Sequence, residues 1–153
     1  MIRNETEYQE ALRRLNQDRE VAARQRAALE AEGLTPEEVE RAMAPLLSVQ
    51  AQLTEEVDWY ERVRRREFPA ITRLTQIGRL LIALRIAHGL TQRELAERLG
   101  ISESLVSRDE RNEYHGITVE RAQRILDALH ETVTTRVEEP ASRTRERELA
   151  GAA

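Results

Sequence analysis

The stretch Leu90-Thr91-Gln92-Arg93-Glu94-Leu95-Ala96-Glu97-Arg98-Leu99-Gly100-Ile101-Ser102-Glu103-Ser104-Leu105-Val106-Ser107-Arg108 decides how this chain folds. Thr91 is placed to cap a helix, and Glu94, three positions on, completes a capping box. Leu95, Ala96 and Leu99 recur on one helical face, and Gly100 stands where a helix ends in a left-handed residue. Ser102 then opens a second helix after a turn of only about three residues, and so short a connection forces two helices to cross steeply. Ala96 is small where they approach, while Ile101 and Val106 fill the angle between them. The second helix begins with polar residues, Glu103, Ser104, Ser107 and Arg108. A reader of DNA base edges needs such side chains at that end.

Working outward, composition excludes most chemistry. The 153 residues hold 24 basic side chains, every one arginine, against 28 acidic ones, for a net charge of −4. Without cysteine there are no disulfides, thiolate zinc sites or cysteine nucleophiles, and without lysine no P-loop lysine or Schiff base. The chain lacks a glycine-rich phosphate loop, a nucleophile elbow and a His-Glu-x-x-His run, and its carboxylates are scattered on polar helix faces. His88, His115 and His130 have no partner at metal-ligand spacing. A non-enzyme with no metal and no cofactor is expected. No run approaches the roughly 18 apolar residues of a membrane span, and the N-terminus lacks a signal layout, which predicts a cytoplasmic chain with no membrane partner. The aromatics are few (Tyr8, Trp59, Tyr60, Phe68, Tyr114), whereas Ala, Leu, Glu and Arg abound, a helical composition.

The expected fold is all-α. An N-terminal antiparallel helical hairpin occupies residues 1–70, a four- to five-helix unit residues 71–131, and a disordered tail residues 132–153. In the first hairpin helix, from about Thr6 to Glu32, Tyr8, Leu12 and Leu15 begin a stripe that continues through Arg19, Ala22, Arg26 and Leu29. After Gly33, Thr35, Pro36 and Glu38 mark a second start. Val39, Met43, Leu46, Gln50, Leu53, Val57 and Tyr60 carry the facing stripe, with Pro45 expected to kink or split the helix and Pro69 to close it. In the compact unit, a last helix over Thr118–His130 presents Val119, Ala122, Ile125, Leu126 and Leu129. Residues 71–131 carry 9 Arg against 9 acidic residues, so any DNA affinity has to come from local geometry.

Over about residues 76–130 the sequence resembles the Cro/phage-repressor, or xenobiotic-response-element (XRE), type of helix-turn-helix. The resemblance rests on Arg85, Leu90-Thr91-Gln92, Leu95-Ala96, Leu99-Gly100-Ile101-Ser102, Val106-Ser107 and Glu110, ungapped across the turn. It implies that Thr91 and Gln92 meet the DNA backbone, that Glu103, Ser104 and Arg108 face bases, and that Arg111 lies near phosphate. It also implies a buried structural ion pair between Arg85 and Glu110. The chain departs from the family at Asp109, where an apolar or aromatic residue is usual, at Glu103, and in the long loop Asn112–Gly116.

The hairpin resembles the layout of antitoxin-like regulators, in which such a hairpin dimerises or captures a toxin. The run Arg62, Arg64, Arg65, Arg66 looks like a phosphate patch, but arginines at a helix C-terminus with Glu61 and Glu67 nearby fit a solvated face. Only a hairpin packed beside the compact unit would bring that run to flanking DNA. Trp59, off the apolar stripe, is either half-buried or a partner anchor. The expected function is a sequence-specific, dimeric transcriptional repressor bound to double-stranded DNA. The alternatives are a toxin-binding antitoxin and an interaction module that has lost DNA binding. The dimer contact is expected in the hairpin, with Thr118–His130 as the other possibility.

Overall fold

The computed structural model describes residues 1–137, which form six α-helices and one 3-10 turn, with no strand among them. Helix α1 is Glu5–Ala31 and α2 is Pro36–Arg64, joined by a short turn with Gly33 at φ +84°. The Asn4 side chain accepts from the Glu7 amide, which ends α1 one turn inside the chain's start, and Glu5 and Glu7 complement the positive end of the helix. Thr35 and Glu38 form the reciprocal capping box expected for α2, with Pro36 at the first helical position. Pro45 does not split α2, which runs unbroken through it. The reason is packing: Val39 and Met43 before the proline are fully buried against α1. The proline itself and Arg41, whose carbonyl loses its donor, are exposed.

The hairpin buries apolar surface at both ends. Far from the rest of the molecule, Ala22, Val39 and Met43 form a cluster flanked by Leu29, Leu34, Leu46 and Leu47. Arg19 and Arg26 do not sit in the seam as the periodicity suggests. Arg19 is exposed, and Arg26 reaches across to Glu40 at 2.7 Å, on the outside of the helix pair. At the base, Ile2, Ala11, Leu15, Val57, Tyr60 and Val63 join the same buried cluster as α3 and the later helices. Tyr8 stacks on Tyr60 with ring centroids 5.0 Å apart and donates to Glu61 at 2.7 Å. The chain passes from hairpin to second unit near residue 70, but the apolar core does not divide there.

The remaining elements are the turn Leu74–Gln76, α3 (Ile77–Ala87), α4 (Gln92–Leu99), α5 (Glu103–Arg111) and α6 (Val119–Leu129). Helix α3 is the central rod: α2 packs on one side, α6 on another, and Leu81 to Ile86 are all buried. Its N-terminus meets the loop after α5 at Gly78, where an added β-carbon would stand 1.9 Å from the Glu113 carbonyl oxygen. That loop is itself constrained, with Glu113 and Tyr114 at positive φ and the Tyr114 ring buried. Gly78→Ala should therefore lower stability by about 3 kcal/mol, since backbone has to move, and a urea melt would read the loss. An unchanged midpoint would mean the loop yields freely.

Beyond α6 the chain is held once more. Glu131 accepts from Arg66 at 2.5 Å and pairs with the His88 ring at 2.7 Å, tying together the ends of α2, α3 and α6. Arg66, and less strongly His88, hold the Glu131 carboxyl below the usual carboxylate range. Residues 132–137 have no regular secondary structure, and the expected disordered tail from residue 138 on lies outside the described residues.

Candidate nucleic-acid interface

Helix α4 starts at Thr91, whose hydroxyl accepts from the Glu94 amide at 3.1 Å while Glu94 takes the Thr91 amide at 2.7 Å. These bonds hold the Glu94 carboxyl below its ordinary range. The helix ends at Gly100 in the left-handed region at φ +67°, and Ile101 N–H returns to the Ala96 carbonyl at 3.0 Å. Ser102 then caps α5 through the Leu105 amide at 3.3 Å. Leu95, Ala96 and Val106 are buried in the corner, with Ile101 half-buried beside them. The corner read from the sequence is thus closed by caps at both sides and filled by small and branched side chains.

Arg85 and Glu110 lie beneath this corner, 2 % and 1 % exposed. Arg85 Nε donates to Glu110 Oε1 at 2.5 Å and Nη2 to Oε2 at 2.6 Å, a fork-to-fork pair joining α3 to α5. The guanidinium makes two further bonds: Nη1 donates to the Leu90 carbonyl at 2.7 Å and Nη2 to the Arg3 carbonyl at 3.0 Å. Gln92, expected at the DNA backbone, turns its side chain inward, and Nε2 donates to Glu110 Oε2 at 2.7 Å. The buried carboxylate therefore has three donors, which fixes α3, α4 and α5 relative to one another.

The outer turns of α5 remain open. Glu103, Ser104, Arg108 and Arg111 are exposed, whereas Ser107 is half-buried. Ser104 Oγ lies 3.1 Å from Ser102 Oγ. Arg108 and Arg111 have no ion-pair partner among the described residues. Thr91 is exposed at the start of α4, where the first amides have no intrahelical acceptor. The free donors and acceptors of this face match what base edges and phosphates require.

Sequence alone leaves other contacts unseen. Asp109, at the position where the resemblance implies an apolar or aromatic residue, is bonded by Arg121 of α6. The pair borders a cleft of about 280 Å³ between α4, α5 and α6. The arginine run is largely consumed by ion pairs: Arg64 with Glu5 at 3.0 Å, Arg65 with Glu67 at 2.9 Å, and Arg66 with Glu131. Trp59 is half-buried and packs on the shared core. His88 is engaged by Glu131, while His115 and His130 are exposed, and no cluster of metal-ligating side chains occurs among the described residues. No described helix is long and apolar enough to cross a membrane. Arg3 and Arg121 contribute through contacts 12 or more residues away, and no local motif announces them.

Residues 81–135 match a family model described as helix-turn-helix. No curated protein and no solved structure matches the chain. The matched segment begins within α3, contains the whole capped corner and runs past α6. Over these residues the chain carries a helix-turn-helix DNA-binding domain of the Cro/phage-repressor (XRE) type.

Proposed function

We propose that the protein is a sequence-specific transcriptional regulator that binds operator DNA as a dimer and represses by occupying a promoter. The observation that carries this reading is the contrast within α5: Glu110 is locked under the corner by Arg85, while Glu103, Ser104 and Arg108 stand exposed on the opposite side. A helix anchored at its inner face and open at its N-terminal turns can lie in a major groove. Arg108 is the base reader, Ser104 and Glu103 adjust the choice of base, and Arg111 meets phosphate. Gln92 serves the backbone through its main-chain amide at the start of α4, its side chain being occupied by Glu110.

Dimerisation answers the charge problem. A unit with as many acids as arginines makes few net phosphate gains, so useful affinity requires two copies on half-sites about one helical turn apart. The far end of the hairpin supports that role, because Val21 and Val49 are exposed beside its apolar cluster.

The direct test is selection of bound duplexes from random DNA at a defined salt concentration. A two-fold-related pair of half-sites is expected, and no enrichment would overturn the proposal. Arg108→Ala should weaken binding to the selected site by about 1–3 kcal/mol and relax the preference at one base pair. An equal loss on every sequence would make Arg108 a phosphate contact instead.

A further inference from the structure

A cleft of about 400 Å³ lies between the base of the hairpin and the helix-turn-helix. Arg3 and Arg64 line it from the hairpin, Arg85 from below, and Thr91, Gln92 and Glu103 from the first turns of α4 and α5. It therefore opens beside the first turns of those two helices. None of the hairpin residues belongs to the matched segment 81–135. Arg85 makes four hydrogen bonds to protein acceptors, but the other two cations are far less engaged. Arg3 Nε is buried without an acceptor, and its Nη2 stands 3.8 Å from Glu7, too far for a hydrogen bond. Arg64 is held only by Glu5, in an exposed pair of the kind that contributes little and is readily exchanged. Glu5 and Glu103 line the same cleft, so a ligand there has to compete with one acid and tolerate another.

We propose that this cleft takes a phosphate of the duplex backbone outside the half-site read by α5, with Arg3 and Arg64 as its donors. The proposal rests on the DNA-binding reading above and extends it: the hairpin base is part of the DNA interface, while the far end serves the dimer. A phosphate oxygen offers Arg3 Nη2 a closer acceptor than Glu7 at 3.8 Å and draws Arg64 away from Glu5, since guanidinium forks match phosphate geometry. The open amides at the start of α4 add to the field on the same anion.

The test is a salt series on the selected operator with long flanks, comparing wild type with Arg3→Gln, Arg64→Gln, Arg3→Lys and Glu5→Gln. Each glutamine variant at an arginine should flatten the slope of log affinity against log salt by about 0.9, one released counterion. Arg3→Lys should keep the slope, and Glu5→Gln should tighten binding by freeing Arg64. Trimming the flanking base pairs should erase the difference between Arg3→Gln and wild type. The Arg3 bond to Arg85 is made by its carbonyl, which every side-chain variant retains. An unchanged slope in both arginine variants, with wild type still binding in a salt-dependent way, would overturn the cleft assignment alone. Saturable binding of inorganic phosphate with that unchanged slope would mark a free-anion site and overturn it equally. Absence of salt-dependent DNA binding by wild type would sink the DNA-binding reading beneath it.

Discussion

Arg85→Met is expected to cost the folded protein about 3–5 kcal/mol, read as a shift of the urea midpoint at constant slope. The side chain is 2 % exposed, and its loss strands a carboxylate that is 1 % exposed. Gln92 Nε2 would be the one donor left to Glu110, and a single neutral amide does not compensate a buried charge. The Leu90 and Arg3 carbonyls would lose their partner in the same step, which loosens the turn before α4 and the start of the chain together. Glu110→Gln should be gentler, because the amide oxygen still accepts from Arg85, but it leaves a buried cation without a counter-charge. The double variant Arg85→Met, Glu110→Leu should recover much of the loss, as apolar replacements of buried pairs commonly do. If the double variant were as damaged as the single ones, the carbonyl contacts to Leu90 and Arg3 would outweigh the ion pair. A loss under about 1 kcal/mol for Arg85→Met would show the pair to be hydrated in solution, and α5 then has no fixed anchor.

What was legible in the sequence follows from the range of the forces involved. Thr35, Thr91 and Ser102 all cap helices as their local patterns require, and Gly33 and Gly100 take positive φ where helices end. Those signals act within one turn of chain, so a sequence displays them directly. Pro45 misled because the cost of a lost backbone bond is local, whereas the burial of Val39 and Met43 that holds both halves on α1 is tertiary. Arg19 and Arg26 were read into a seam by spacing alone, but a charged side chain at a marginal stripe position turns outward when an acid such as Glu40 is available. At the site, the exposed face of α5 was readable from its polar N-terminal turns. The inward turn of Gln92, the Arg121 bond to Asp109 and the reach of Arg3 to Arg85 were not, because each depends on where a distant helix lies.

Removing residues 1–68 should take away most of the stability of what remains, not merely its dimer partner. Ile2, Leu15, Val57, Tyr60 and Val63 are buried in one cluster with Leu81, Ile82 and Leu84 of α3. Fully burying a side chain of this size is worth roughly 1.5–3 kcal/mol, and five of them together rival the roughly 5–15 kcal/mol by which a domain exceeds its unfolded state. The deletion also strips the Arg3 carbonyl from Arg85. The expected result is a fragment of reduced helicity by circular dichroism, without a cooperative urea transition, and with weak DNA binding. That last observation has two explanations, lost folding and lost dimerisation, and a stabilising osmolyte separates them by favouring the compact state without restoring any deleted contact. Refolded in trimethylamine N-oxide, the fragment should regain helicity yet sediment as a monomer and still bind a two-half-site operator weakly, which assigns the dimer contact to the hairpin. A dimer recovered under those conditions would move the contact to the compact unit, where Val119 is 82 % exposed at the start of α6. A fragment that melts cooperatively near the wild-type midpoint without osmolyte would show that the core does divide near residue 70. Arg3 and Arg64 would then touch DNA only as a hinged appendage of an independent domain.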